Sequence, residues 1–124
     1  MNIGEVYFWV TDQAKGHDIR PKFHIYVCPA DWVDDHTFLF INKGMYGDDY
    51  KLLQADYPAM LSFDSYVSSN GIAAYDDATI KTFDLTVKGA ITRAHLKELM
   101  LVLDGSKTLE RQQKRRICAA LNAL

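Results

Sequence analysis

The densest run of chemistry-bearing side chains is Gly16-His17-Asp18-Ile19-Arg20-Pro21, with His24 three residues beyond. Arg20 offers a planar, permanently charged guanidinium suited to phosphate. His17 can serve as acid or base near neutral pH, and Asp18 can orient it. Together they fit RNA cleavage by attack of a 2′-hydroxyl, which needs a base, an acid and a cation for the developing phosphorane charge, and no metal. The competing interpretation is a solvated loop in which Pro21 opens a strand. Two further clusters stand apart in sequence: Asn42-Lys43, and Phe63-Asp64-Ser65-Tyr66. Asp and Ser at such positions commonly cap turns. Asp48-Asp49 and Asp76-Asp77 lack an evident third ligand, so no metal site and no cofactor are expected. There is no Gly-rich phosphate loop, no GxSxG and no CxxC.

The elements that must position these groups change period along the chain. Glu5 to Val10 and Phe23 to Cys28 alternate as strands, the second with Phe23, Ile25 and Val27 on one face and His24, Tyr26 and Cys28 on the other. Pro29 closes it. Thr37 to Asn42 reads as a third, nearly all-apolar strand, and 50–53, 65–68 and 71–75 as short ones, with Pro58 and Asn70-Gly71 marking turns. The stretch 80–88 ends in an alternating Phe83, Leu85, Val87. After Thr92, a natural helix cap, Leu96, Leu99, Met100 and Leu103 fall on one helical face, and Gly105 stops that helix. Thr108 can cap a second helix, with an apolar stripe from Leu109 to Leu124 and Arg111, Lys114, Arg115 and Arg116 on its other side. The expected fold is α+β: a small SH3-like β-barrel or a bent antiparallel sheet, followed by two C-terminal helices. Residues 1–124 are read as a single domain, with 1–88 as the barrel and 92–124 as the helical tail. Phe8, Phe23, Ile25, Val27, Leu39, Ile41, Phe83, Leu85, Leu96, Leu99, Leu103 and Ile117 are the expected core.

Composition bounds the function classes. The chain has 124 residues, 48% hydrophobic and 24% charged, the balance of one globular domain able to bury its own core. No apolar run exceeds five residues, against the roughly 20 that a membrane span needs. The N-terminus lacks the pattern of a secretory signal, and Cys28 and Cys118 are read as reduced thiols, so a cytoplasmic location and no membrane partner are expected. The net charge of −2 conceals an asymmetry: residues 1–85 carry −7 and residues 86–124 carry +5. An acidic body is a poor general surface for nucleic acid, so a role on RNA requires a local basic spot or the basic tail. The basic face of the last helix is also a place for a partner or a dimer mate, so a homodimer is among the expected assemblies.

Residues 4–45 resemble the PemK/Kid/MazF family of toxin ribonucleases, which share a small SH3-like barrel. The likeness begins with Gly4-Glu5-Val6-Tyr7, continues through Gly16-His17-Asp18 and Arg20-Pro21, and follows the apolar strand Phe23 to Val27. Gly71-Ile72-Ala73-Ala74-Tyr75-Asp76 is similar to a further family strand, and Phe38 to Asn42 and Asp64-Ser65-Tyr66 look like a divergent branch. The resemblance implies a metal-independent endoribonuclease acting on single-stranded RNA, with an antitoxin protein as partner. It implies His17, Arg20 and His24 as the catalytic set and Asn42, Lys43, Asp64, Ser65 and Asp76 as substrate-binding residues. Asn42-Lys43 stands where the family has Thr-Ser, and Ala74 where it has a second catalytic Arg. The alternative is a non-catalytic barrel module that binds a protein partner. The site is expected where the His17–Arg20 loop meets Asn42 and Lys43, with Arg20 and Lys43 forming a cationic spot. A plain pairing of Arg20 with Asp18 is the competing outcome.

Overall fold

A computed structural model describes residues 1–11, 20–45, 47 and 49–124. Six strands form one antiparallel sheet: β1 (Glu5–Thr11), β2 (Arg20–Cys28), β3 (His36–Asn42), β4 (Tyr50–Leu52), β5 (Ser65–Tyr75) and β6 (Val87–Ala90). Their order across the sheet is β4-β5-β3-β2-β1-β6. A single 3-10 turn (Gln54–Asp56) and three α-helices complete the described fold: α1 (Asp77–Thr82), α2 (Arg93–Asp104) and α3 (Arg111–Asn122). The architecture is α+β, a curled sheet followed by the two C-terminal helices. No pairing joins β4 to β6 among the described residues, so the sheet is a half-barrel rather than a closed one. Its two ends nevertheless approach. A Cβ built on Gly89 of β6 would lie 2.8 Å from the Met60 sulfur in the segment after β4. Nearby, the Thr92 backbone N–H donates to the Tyr57 hydroxyl at 3.1 Å.

Strand alternation supplies two buried faces. Val6, Ile25, Val27, Leu39, Ile41, Leu52 and Val67 face Leu96, Leu99 and Leu103 of α2 and Ile117 and Leu121 of α3. The opposite face is aromatic: Tyr7, Trp9, Tyr26, Phe38, Phe40 and Tyr75, covered by Ile80, Phe83 and Leu85. Cys28 joins the helix-covered face with Val27, because the β2–β3 register shifts between Tyr26 and Cys28. Of the expected core, Phe83 and Leu85 are half-buried over the aromatic face, Phe23 is half-buried, and Phe8 is 39% exposed. The other eight residues are buried.

Three local expectations change. Residues 65–68 and 71–75 are one strand, and Asn70-Gly71 lies within it. The β3–β5 register jumps between Leu39↔Ile72 and Ile41↔Val67, so the excess residues of β5 bulge out there. Residues 80–82 end α1 instead of starting a strand. The Asp76 carboxylate accepts from the Thr79 N–H at 2.8 Å and caps that helix, so the chain reaches β6 only at Val87. Thr92 caps α2 as its position predicts. Glu110, not Thr108, caps α3: the Thr108 hydroxyl turns to the Asn70 side chain at 3.0 Å.

Candidate functional site

Antiparallel pairing brings the start of β2 beside the end of β3, with Phe23 opposite Ile41. At this rim a cleft of about 620 Å³ opens on the helix-covered side of the sheet. Phe8, Phe23, Ile41, Met60 and Leu61 supply apolar lining, Phe63 and Ser65 a wall, and Pro21, Lys22, Asn42 and Lys43 the polar edge. Phe8 and Phe23 pack with ring centroids 4.9 Å apart and planes tilted by 55°. The Lys43 ammonium sits 5.4 Å from the centroid of Phe63, a cation held over an aromatic face. Phe8 and Phe63 are each about two-fifths exposed, at 39% and 44%. Stackable rings and cations therefore share one concave surface.

Lys22 is the cation that the sequence pattern did not single out. Its ammonium donates to the Asn42 side-chain oxygen, twenty residues along the chain. The ladder continues from His24↔Phe40, so these two side chains face each other across the strands. A lysine two residues after Arg20 carries no motif of its own, and only strand register pairs it with Asn42.

The other expected site residues separate into groups. Asn42 and Lys43 line the cleft. Arg20 pairs through its backbone with Thr11, one residue before Pro21 of the cleft edge, while its side chain lies outside what is described. His17 and Asp18 also lie outside the described residues. Ser65 is 4% exposed and its hydroxyl donates to the Phe63 carbonyl at 3.1 Å. Asp64 accepts from the Gln54 N–H at 2.8 Å and pairs with Lys51 at 3.7 Å. Both shape the turn that carries Phe63. Asp76 is at the far end of the sheet: β3 pairs Asn42 with Tyr66 at one end and His36 with Tyr75 at the other. Six residues of strand put Asp76 on the order of 20 Å from the cleft. There it caps α1, and the hydrogen bonds from Thr79 hold its carboxyl below the ordinary range.

His24 belongs to the aromatic core and not to the cleft. Its ring is fully buried and stacks on Trp9 with centroids 3.6 Å apart and planes 6° from parallel. Nδ1 lies 2.9 Å from the Lys22 carbonyl, so that nitrogen carries the proton and donates. Nε2 is then the bare nitrogen, buried with no hydrogen-bond partner among the described residues. Burial is the main cause that pushes the ring down to about 3, with the Lys22 charge adding to it. A ring so placed is neutral at physiological pH and closed to substrate.

A second histidine network lies at the far end of the sheet. His36 Nδ1 is 2.8 Å from the Tyr26 hydroxyl, and Nε2 is 2.6 Å from Asp77. Tyr26 is 2% exposed, and burial first among the causes pushes its hydroxyl up to about 12. That chain ties α1 to the sheet and presents no accessible nucleophile. Among the described residues no three His, Cys, Asp or Glu side chains gather as a metal site. No helix among them is long and apolar enough to cross a membrane. In comparisons with known proteins, no family model and no curated protein matches the chain.

Proposed function

We propose that this protein binds single-stranded RNA in the cleft and cleaves it without a metal ion, as the PemK-like toxin of a toxin–antitoxin pair. Support comes above all from the cleft itself, where Phe8, Phe23 and Phe63 stand beside Lys22 and Lys43 on an otherwise acidic body. Aromatic faces accept unstacked bases, and cations track the phosphates between them. In the reaction, a 2′-hydroxyl loses its proton and attacks the adjacent phosphorus. The bond to the 5′-oxygen breaks, leaving a 2′,3′-cyclic phosphate and a 5′-hydroxyl that takes up a proton. His17 is the group for proton transfer, and Arg20 the cation for the phosphorane.

The test is incubation with mixed-sequence RNA in EDTA, with binding followed alongside cleavage. Arg20→Ala abolishes cleavage while leaving the melting temperature unchanged. Phe63→Ala weakens RNA binding by about 1–3 kcal/mol, the range for one stacked base. Lys43→Ala lowers the salt slope of binding by about 0.7, one phosphate contact on a single strand. Binding untouched by both cleft variants would refute the site.

A second function, a non-catalytic module that binds a protein partner, is favoured by one observation. With His24 in the core, the catalytic set loses one of its two histidines. No cleavage at any enzyme concentration favours the module, and no RNA binding at the cleft excludes the RNA role altogether.

A further inference from the structure

The start of β2 and the end of β3 form one rim of the sheet, and strand alternation divides that rim into two sides. Phe23 and Ile41 belong to the cleft side, which continues into the helix-covered core. Lys22 and Asn42, one residue away in each strand, have the opposite parity, shared with His24 and Phe40. There the Lys22 ammonium donates to the Asn42 side-chain oxygen. After burial, which is the main cause, the Lys22 charge also pushes the His24 ring down, as expected of a cation on that side. Lys43 serves the other side. One residue beyond Asn42, its ammonium sits 5.4 Å from the centroid of Phe63 in the cleft wall. The two lysines of the rim therefore face different spaces.

A single strand of RNA that seats a base in the cleft carries the adjoining phosphate over this rim. Arg20 is two positions before Lys22 in β2 and has the same parity. In the cleavage reaction negative charge gathers on the non-bridging oxygens, and preorganised donors aimed at them lower the barrier. With His24 withdrawn into the core, Arg20 is the one permanent cation left in the expected catalytic set. Lys22 is half-buried, so its charge is screened less than that of an exposed lysine. Asn42 also limits its freedom. An ammonium carries only donors, so the amide must turn its oxygen to it, and the bond fixes where the long side chain ends. A single cross-strand pair at a strand end adds little to stability. Its larger consequence is a cation held in place next to Arg20 in β2.

We propose that Lys22 is a catalytic residue of the RNA cleavage proposed above, its ammonium aimed by Asn42 at the non-bridging oxygens of the scissile phosphate while a neighbouring base stacks in the cleft across the rim. The assignment rests on that ribonuclease function. Lys22 moves no proton. It stays an ammonium while the bond from the 2′-oxygen to phosphorus forms and the bond to the 5′-oxygen breaks, and it neutralises the charge that builds up in between. Asn42 is a positioning residue that acts through Lys22.

Cleavage of mixed-sequence RNA in EDTA by the full chain tests this, with kcat and KM measured separately and thermal melting followed for every variant. Lys22→Gln lowers kcat by about 100-fold or more, the scale of one lost transition-state donor, and leaves KM within about threefold. Lys22→Arg keeps the charge and changes only the shape of the donor, so kcat returns to within about tenfold of the parent. Asn42→Ala lets the ammonium wander and lowers kcat by about tenfold or more. If the parent cleaves RNA and a folded Lys22→Gln keeps the parent kcat, Lys22 has no such role and the ribonuclease function stands. A parent that cleaves no RNA removes both. Activity lost only in step with melting temperature, equally in the Gln and Arg variants, makes the pair a strand tie and overturns the assignment. Should Lys22→Gln not fold, Asn42→Ala with an unchanged kcat overturns it instead.

Discussion

Acid should destabilise this protein through His24, and the size of the effect follows from its surroundings. The unfolded chain titrates that ring near 6.5. In the fold it titrates at about 3, because the added proton must go to Nε2 in an aromatic, solvent-free pocket. Between those values the unfolded chain holds one more proton than the native state, so stability falls as pH drops from about 6.5 to 3. The slope approaches about 1.4 kcal/mol per pH unit, and the loss by pH 4 is about 3 kcal/mol relative to pH 7. The perturbation is His24→Phe, which keeps a flat ring against Trp9 but cannot take a proton. It leaves the Lys22 carbonyl without the Nδ1 donor, which costs about 1 kcal/mol at pH 7. Urea unfolding of both proteins at pH 7, 5 and 4 gives the decisive quantity, the change with pH of their stability difference. Carboxylates with lowered native values, Glu5, Asp31 and Asp76, lose stabilisation in acid too, but equally in both proteins. The difference should move by about 3 kcal/mol in favour of the Phe variant between pH 7 and pH 4. Parallel pH profiles would refute a neutral, dry His24.

Three further outcomes follow from the packing. Arg116→Ala removes a guanidinium whose side chain is 11% exposed and which donates to the Asp31 carboxylate at 3.1 Å and the Thr37 hydroxyl at 2.9 Å; thermal unfolding should show a loss of about 3–5 kcal/mol, and an unchanged midpoint would mean the loop between β2 and β3 does not depend on it. Leu99→Ala, at a site 1% exposed between α2 and the sheet, should lose about 2–5 kcal/mol by denaturant titration, and no change would disprove that packing. Asp76→Ala should lower the melting temperature through loss of the α1 cap while leaving RNA binding at the cleft untouched; weakened binding would contradict its place at the far end of the sheet.

Local signals in this chain spoke clearly where the physics is local. Alternation in Val6–Val10 and Phe23–Val27 is a backbone period, and it marks β1 and β2 without reference to anything else. Leu96, Leu99 and Leu103 mark the buried face of α2, and Thr92 its start. What α1 covers is a different matter. Ile80, Phe83 and Leu85 read as part of a strand until the Asp76 cap turns the chain over the aromatic face. The candidate site was legible only at its edges. Proximity in sequence grouped His24 with the loop before β2, yet strand parity aims its ring at Trp9. Ser65 and Asp64 entered as polar groups, and their bonds to Phe63 and Gln54 make them the frame of a turn. Lys22 meets Asn42, and Phe8 meets Phe23, because antiparallel register carries residues distant in sequence to one rim. Side-chain period is a property of each segment alone. Convergence depends on register, bulges and the curl of the whole sheet, which non-local pairing decides.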